Sequence, residues 1–311
     1  MILTFTPNPS IDQTLATSGA LECGQVQRLQ TVTNVAGGKG VNVAHACALA
    51  GVDTLALFPA SEQDPFLSYI ADDEVPFREL PGGTVRINTA ITEPDGTTTK
   101  LNGPGSPLSE EQARGVRDAL IDAAGSASWL VMAGSLPPGA PQDLYTQLIR
   151  EVREAHPNVR IAVDTSDGPL AQLAANLGSA APDLMKPNGE ELGSLVGRGS
   201  LEGAELREIV DAARDLGVTE VLVTLGGDGA VLVTPEGAWH AEAPEITIVS
   251  TVGAGDSALA GYLMAREQGA SYAESLSRAV AYGSAATSLP GTTIPNPHQV
   301  TATPRVTELT V

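Results

Sequence analysis

Basic residues are scarce in this sequence. Seventeen Lys+Arg stand against 37 Asp+Glu, which gives the 311 residues a formal net charge of −20. Nucleic acids and anionic membranes are bound through basic faces, so this charge argues against both as partners. The lysines are confined to Lys39, Lys100 and Lys186, each in a turn-rich local sequence.

Cysteine, histidine and long apolar runs are also sparse. The two cysteines, Cys23 and Cys47, are too few for a disulfide framework, and the 4 histidines lack the spacing of metal ligands. No stretch approaches the ~18 uncharged apolar residues that a membrane span needs, and no basic segment typical of a secretion signal is present. We therefore expect a protein of a reducing compartment, the cytoplasm.

The apolar residues that are present are enough for a large core, at 42% of the chain. Short runs rich in Val, Ile, Leu and Thr alternate with amphipathic stretches, which is typical of a parallel sheet covered by helices. The pattern predicts strands at 2–6, 54–58, 129–132, 160–164, 183–186 and 220–224, and helices at 41–50, 65–72, 109–124, 141–155, 203–216, 254–268 and 272–288. We expect an α/β fold in a single domain over residues 1–311.

Two segments interrupt this alternation. Residues 11–35 and 85–101 are rich in Thr, Val and Gln, alternate with a period of two, and contain hairpin signals such as Asp95-Gly96. They are predicted to be additional strands that project from the main domain as a small β lid.

The segment Ser250-Thr-Val-Gly-Ala-Gly-Asp-Ser257 indicates an anion site. It follows a β-like run and opens a helix of small residues, where consecutive amides and the helix dipole favour an anion. Gly253, Ala254 and Gly255 would supply the amides, and Asp256 beside them would be a catalytic base. A relaxed dinucleotide fingerprint also fits these glycines, but no strand ending in an acid follows about 20 residues later. An ordinary N-terminal capping Asp is the other alternative.

A second glycine turn, Gly37-Gly-Lys-Gly-Val-Asn42, also enters a helix. It is not a P-loop, because the sequence contains no Gly-x-x-x-x-Gly-Lys-Ser/Thr. Its backbone amides can still bind a small anion or a polar sugar, with Lys39 as a point charge.

A strand is predicted to end at Lys186-Pro-Asn188, with Glu191 three residues further on. An amide and a carboxylate one helical turn apart suit Mg²⁺ binding through water, since that ion keeps most of its hydration shell. The alternative is a helix cap in which Asn188 and Glu191 bond each other's backbone, and the two interpretations are compatible.

A third glycine turn, Thr224-Leu-Gly226-Gly-Asp-Gly229, follows the next strand and suits backbone contact with a nucleotide. Gly-Asp-Gly is equally common in ordinary hairpin turns, so this string alone does not decide between the two.

Several polar residues lie where a ligand could reach them. Asp12, Arg28, Arg86 and Asn88 fall in the predicted lid strands, and Ser135 follows a strand end, where α/β proteins bind ligands. Asp164, at the end of an interior strand, is ambiguous between a structural and a functional role.

In this order, the motifs resemble those of the ribokinase-like, pfkB-type carbohydrate kinases. The matching strings are Gly-Gly-Lys-Gly-x-Asn (37–42), Gly-Ser-Leu-Pro-x-Gly (134–139), Lys-Pro-Asn-x-x-Glu (186–191), Thr-Leu-Gly-x-x-Gly (224–229) and Thr-Val-Gly-Ala-Gly-Asp-Ser (251–257). The resemblance runs nearly end to end, and Gly-Ala-Gly-Asp is its most specific part. It implies a three-layer α/β/α sandwich with a small β lid.

The resemblance also implies a function, the transfer of phosphate from Mg·ATP to a sugar phosphate. Asp256 would be the base and the amides of Ala254 and Gly255 the anion hole. The remaining roles are carried over by position: Asp12, Gly38, Asn42 and Ser135 for sugar hydroxyls; Lys39, Arg86 and Lys100 for the phosphate already on the substrate, beside Asn88; Lys186, Asn188, Thr224, Gly226 and Gly229 for ATP; and Glu191 for Mg²⁺. Phosphoryl transfer depends mainly on positioning and charge, which amides, cations and one base can supply.

Within the family, Gly-Gly-Lys-Gly and Val85-Arg-Ile-Asn88 look most like the 1-phosphofructokinases and tagatose-6-phosphate kinases. Fructose 1-phosphate is therefore the expected acceptor, with tagatose 6-phosphate or fructose 6-phosphate as alternatives and a non-catalytic sugar-phosphate sensor as a different class. Some members carry Lys shortly after the glycine at position 24, where this chain has Gln25-Val-Gln-Arg28. The resemblance suggests a homodimer formed through the lid. In such a dimer Arg28 would contact the substrate of the partner subunit.

Overall fold

The computed structural model describes residues 1–310, which form a chain of alternating strands and helices. The strands are β1 (Ile2–Phe5), β2 (Ser10–Thr17), β3 (Leu29–Gly37), β4 (Thr54–Ala60), β5 (Phe77–Pro81), β6 (Arg86–Thr92), β7 (Thr98–Asn102), β8 (Trp129–Ala133), β9 (Arg160–Asp164), β10 (Leu184–Met185), β11 (Glu220–Thr224), β12 (Ala230–Thr234), β13 (Gly237–Ala241) and β14 (Val306–Glu308). The helices are α1 (Lys39–Leu49), α2 (Phe66–Asp72), α3 (Glu110–Ala124), α4 (Leu144–Ala155), α5 (Asp167–Ala174), α6 (Leu177–Ala180), α7 (Gly189–Leu195), α8 (Leu206–Asp215), α9 (Ala254–Glu267) and α10 (Tyr272–Thr287). Across residues 1–310 no helix is long and apolar enough to cross a membrane.

Ten strands form the main sheet in the order β14-β13-β12-β11-β10-β9-β8-β1-β4-β5. The strands from β11 to β5 are parallel, and β12, β13 and β14 extend the sheet with antiparallel pairing. Because successive strand residues point to opposite faces, Ile2 packs with the helices α1, α9 and α10, while its neighbour Leu3 packs with α3 and α4. The predicted three-layer α/β/α sandwich is confirmed.

Four strands form a second sheet in the order β3-β2-β6-β7. They arise from the two segments predicted as the lid, with β2 and β6 parallel and the outer pairs antiparallel. Asp12 pairs with Val35 and Asn88, and Ala90 pairs with Lys100, so these residues share one face of the sheet. The opposite face carries Ile11, which is buried against α2.

The carboxyl ends of β1, β8, β9 and β10 meet at one edge of the main sheet, because these strands are parallel. Pro187 follows Lys186, and because proline has no amide to donate, only its carbonyl takes part in the pairing with β11, accepting from the Thr224 amide at 3.1 Å. The glycine turn after β11 reverses the chain into β12 through a short 3₁₀ segment, Gly226–Asp228. The hairpin interpretation of this turn is therefore correct, and the turn still lies at the same edge.

Candidate active site

The first turn of α9 carries the aspartate predicted as the base. Gly253 precedes the helix with φ +77°, a left-handed backbone that glycine adopts without strain. Asp256 is the third helical residue and is buried. The first amides of a helix have no partner within the helix. The amide of Ala254 makes one long hydrogen bond, to the Thr251 carbonyl at 3.5 Å, and that of Gly255 is available to an anion beside the Asp256 carboxylate.

Two residues of α1 reach the Asp256 carboxylate from the other side of the edge. The side-chain amide of Asn42 donates to Oδ2 of Asp256 at 2.8 Å. The ammonium of Lys39 lies 3.5 Å from Oδ1. The glycine turn before α1 thus orients two donors towards the base, across 217 and 214 residues of sequence.

Asp164, at the end of β9, joins Lys39 to a second lysine. Lys39 Nζ lies 3.3 and 3.2 Å from the two oxygens of Asp164. Lys186 Nζ lies 3.3 Å from Oδ2 of the same carboxylate. A row of alternating charges results, Asp256–Lys39–Asp164–Lys186, with two anions and two cations. Only Lys39 is substantially exposed, with 38% of its side chain accessible.

Burial and charge act against each other in this row. Burial alone would lower the pKa of Lys39, but the neighbouring Asp164 and Asp256 outweigh it and raise that pKa, so Lys39 is charged at neutral pH. Burial alone would raise the pKa of Asp164, but Lys186 and Lys39 outweigh it and lower that pKa. Both groups are therefore held in their ionised forms.

The lid contributes a second polar cluster around Asp12. Oδ1 of Asp12 accepts hydrogen bonds from the Ser10 hydroxyl at 2.7 Å and from the Asn88 amide at 3.2 Å. Burial raises the pKa of Asp12 despite these bonds. Burial also lowers the pKa of Arg86 although Asp12 lies near it. Nη1 of Arg86 donates to the Gly103 carbonyl at 3.2 Å, and its buried Nε has no partner among the described residues.

The backbone at the base of the lid is close to these groups. A Cβ at Gly37 would lie 2.5 Å from the Asp12 carboxyl carbon, so a side chain there would force the Asp12 carboxylate to move. Asn8 donates to the Leu136 carbonyl at 3.2 Å and lies 3.5 Å from the Ser135 hydroxyl. These contacts place Ser135 beside Asn8, which lies in the loop between β1 and the lid strand β2.

The predicted nucleotide residues surround the start of α7. Asn188 caps the helix: its side chain accepts from the Glu191 amide at 2.7 Å, and Glu191 Oε2 accepts from the Asn188 amide at 2.9 Å. Asn188 also pairs with Thr224 in an isolated parallel bridge, which brings the 224–229 turn alongside. The capping interpretation is correct, and it does not exclude a further role for Glu191.

A magnesium site can be tested against these donors. Residues 1–310 contain no cluster of three or more His, Cys, Asp or Glu side chains able to hold a metal ion. Glu191 keeps one carboxylate oxygen outside the cap, and it faces the site closely enough to raise the pKa of Lys39 further. One carboxylate fits an ion such as Mg²⁺ that retains most of its waters and binds mainly through substrate phosphates.

The residues predicted for the substrate phosphate occupy different places. Lys39 contacts Asp256 and Asp164, Arg86 lies near Asp12, and Lys100 is an exposed residue of β7. Sequence reasoning left Asp164 ambiguous and did not single out Asn8. The one signal for Asp164 in the sequence is an acid at the carboxyl end of an interior strand. Its two partners, Lys39 and Lys186, are remote in sequence, so no local pattern links them to it.

Comparisons with known proteins show the family to which the chain belongs. The family model described as pfkB family carbohydrate kinase matches residues 6–299. A 1-phosphofructokinase of Rhodobacter capsulatus is 36% identical over 98% of this chain and 96% of its own length. A 1-phosphofructokinase of Haloferax volcanii is 34% identical over 95% of this chain and 94% of its own length. The crystal structure of phosphofructokinase-2 from Escherichia coli in complex with substrates and products superposes with a TM-score of 0.87, at 31% identity and 96% coverage of both chains.

Proposed function

Because the chain belongs to the pfkB family of carbohydrate kinases and is an ATP-dependent sugar-phosphate kinase, we propose that its acceptor is fructose 1-phosphate. The product would be fructose 1,6-bisphosphate. The observation that supports phosphoryl transfer at this site is the Asp256 carboxylate, buried in the first turn of α9 and in contact with Asn42 and Lys39.

Asp256 acts as the general base. The 6-hydroxyl of the sugar gives its proton to the Asp256 carboxylate while its oxygen attacks the γ-phosphorus of ATP, and the bond to the bridging oxygen of ADP breaks. The amides of Ala254 and Gly255 receive the transferring phosphoryl oxygens. Lys39 lies next to the same point, where its fixed charge offsets the negative charge that collects on the phosphoryl group.

The nucleotide lies along Lys186, Asn188 and the 224–229 turn. In that turn the amides of Gly226 and Gly227 are the ones without a hydrogen-bond partner among the described residues, and they suit phosphate and ribose. Glu191 would hold Mg²⁺ through water at the phosphates, and the ion would supply charge neutralisation there. Activity lost with a chelator and restored by Mg²⁺ would support this assignment.

The substrate's own phosphate lies at the lid beside Arg86. A cavity of about 200 Å³ opens at the β3 edge of the lid, but its lining contains no lysine or arginine. That lining includes two carboxylates, Asp12 and Asp73, so it disfavours a phosphate. Arg86, the lid cation close to Asp12, is the better partner.

Three ketose phosphates can bridge Arg86 and Asp256, and they differ in where the anomeric hydroxyl lies. In fructose 1-phosphate this hydroxyl is next to the phosphate-bearing carbon, near the lid. In fructose 6-phosphate and tagatose 6-phosphate it is next to the accepting hydroxyl. Oδ2 of Asp12 accepts no hydrogen bond from the residues that the structure describes, so it is free for an anomeric hydroxyl at the lid end. This favours fructose 1-phosphate.

The test is kcat/KM for fructose 1-phosphate, fructose 6-phosphate and tagatose 6-phosphate at one concentration of Mg·ATP. We expect the first to exceed both others, since a mismatched hydroxyl leaves a buried polar group unpaired. A larger value for fructose 6-phosphate would favour a 6-phosphofructokinase, which the likeness to phosphofructokinase-2 keeps as the second candidate.

A sugar-phosphate sensor without catalysis is the alternative from another class. It would have no use for a base, whereas Asp256 stands within an intact Gly-Ala-Gly-Asp. ATP consumption measured with and without the sugar phosphate separates the two, because a sensor shows no substrate-dependent turnover.

We also propose a homodimer formed through the lid of a cytoplasmic enzyme. The lid face opposite Asp12 exposes Val32, Ile87 and Leu101, with accessible fractions of 54%, 48% and 58%. A second copy would cover this apolar face and bring Arg28 near the substrate. A Leu101→Lys variant that remains the same size as the wild type in light scattering would refute this interface.

A further inference from the structure

We infer that Asp164 is a positioning residue for phosphoryl transfer, which holds Lys39 and Lys186 on the two sides of the first turn of α9. It touches neither substrate and acts through the two ammonium groups. The inference rests on the proposed role of Asp256.

The carboxylate of Asp164 is placed rigidly. It stands at the last residue of β9, where its carbonyl accepts from the Gly134 amide at 3.0 Å, and only 2% of the side chain is accessible. Its Oδ1 contacts Lys39, and its Oδ2 contacts both lysines at 3.2 and 3.3 Å. Both oxygens therefore contact cations, and with only 2% of the side chain accessible the carboxylate is shielded from a substrate hydroxyl.

Lys39 is shared unequally between two carboxylates. An ammonium has three N–H groups; two contacts of Lys39 go to Asp164 and the longer one, at 3.5 Å, goes to Asp256. Without Asp164, the nearest remaining anion for this cation is Asp256. The ammonium would then pair directly with the base and reduce its ability to accept a proton. Asp164 keeps Lys39 near the reacting atoms and away from a closed pair with Asp256.

Lys186 is held in the same way on the nucleotide side. Only 5% of its side chain is accessible, and its ammonium lies so close to α9 that a Cβ at Gly255 would be 3.2 Å from Nζ. Asp164 is its carboxylate partner. One anion thus fixes two cations, one from each substrate side, against the amides that would receive the transferring group.

The variant Asp164→Asn removes the charge and preserves the shape. We expect kcat to fall about ten- to hundredfold, the value of a charge-assisted hydrogen bond, while the KM for ATP and for the sugar phosphate change little. Asp183→Asn is the matched control. The Asp183 carboxylate pairs with Arg153 at 2.7 Å and stands before the first residue of β10, whereas Lys186 and the site lie after its last residue. It should keep the wild-type kcat.

A double-mutant cycle with Lys39→Met distinguishes positioning from a structural role. If Asp164 acts through Lys39, the Asp164→Asn substitution lowers kcat much less when residue 39 is already Met. If the fall in kcat is the same in both backgrounds, or if KM rises and kcat does not fall, the inference is wrong.

A double variant that removes one charge of each sign controls for loss of folding. Asp164→Asn leaves Lys186 buried without a partner, so Asp164→Asn/Lys186→Met removes one charge of each sign and is compared with Lys186→Met alone. A further fall in kcat in the double variant supports the inference, and equal kcat values overturn it. Asp256→Asn, measured alongside, reports on the proposed function: if that variant stays active, the base is wrong whatever the cycle gives.

Discussion

Replacing Asp256 by Asn tests the proposed chemistry most directly. The two side chains have the same shape, but the amide presents an NH₂ group where the carboxylate has an oxygen. Asp256 accepts from Asn42 on Oδ2 and from Lys39 on Oδ1. An amide can accept only one of these bonds, so its oxygen would turn to Asn42 at the shorter distance and its NH₂ would face the Lys39 ammonium.

The contacts around Asp256 indicate that Asp256→Asn still folds. Lys39 keeps its two contacts to Asp164, so it is not left without an anion. The stability lost is about 1–3 kcal/mol, the cost of one unsatisfied buried polar contact. Catalysis loses more, because a positioned general base contributes about 10²–10⁴-fold. We therefore expect a folded protein that binds ATP with wild-type affinity and has lost most of its turnover.

The assay is ADP release at saturating sugar phosphate and Mg·ATP, with ATP affinity from calorimetry and folding from thermal unfolding. Asp183→Asn serves again as a control that removes a carboxylate far from the base. An Asp256→Asn enzyme with more than half of the wild-type kcat would refute the reasoning, since no other described group contacts the same position as a base.

Three further predictions follow from individual contacts. Arg86→Ala should raise the KM for the sugar phosphate about ten- to hundredfold and leave the KM for ATP nearly unchanged; equal rises in steady-state kinetics would mean that Arg86 merely supports the lid through the Gly103 carbonyl. Gly255→Ala should lower kcat at unchanged unfolding temperature, because the new Cβ would lie 3.2 Å from the Lys186 ammonium and push it aside. Gly178→Ala is the control, since a Cβ there meets nothing within 4 Å, and equal kcat values for both variants would contradict the role of Lys186. Burial raises the pKa of Cys47 to about 12, so a thiol reagent at pH 8 should label exposed Cys23 quickly and Cys47 only after unfolding; two fast thiols would show that α1 opens readily.

The main sheet and its helices could be predicted because their signals are local. Each strand is a short apolar run, and each helix repeats its apolar residues with the helical period, so neither requires knowledge of distant residues. Four strands of the main sheet, β5, β12, β13 and β14, and the short helices α5, α6 and α7 were not predicted. Trp239 of β13 is partly buried and pairs with Glu308 of β14, a contact that no local sequence pattern predicts.

The contacts of Lys39 could not be predicted from the sequence. With no spatial information, its predicted place was beside the phosphate already on the substrate, together with Arg86 and Lys100. In the folded chain Lys39 also lies next to Asp256, which is 217 residues away. Asp164 remained ambiguous for the same reason, because its partners come from α1 and from the end of β10.

The sequence alone determined the α/β fold, the lid segments, and the glycine turn with Asp256 at the start of a helix, since each depends on neighbouring residues and on backbone conformation. The tertiary structure decided which charges meet. Asp164 becomes the shared counter-ion of Lys39 and Lys186 only because parallel strands place their carboxyl ends at one edge, beside the helix that carries Asp256. Electrostatic contacts depend on distance in space, and that distance is set by the packing of the whole domain.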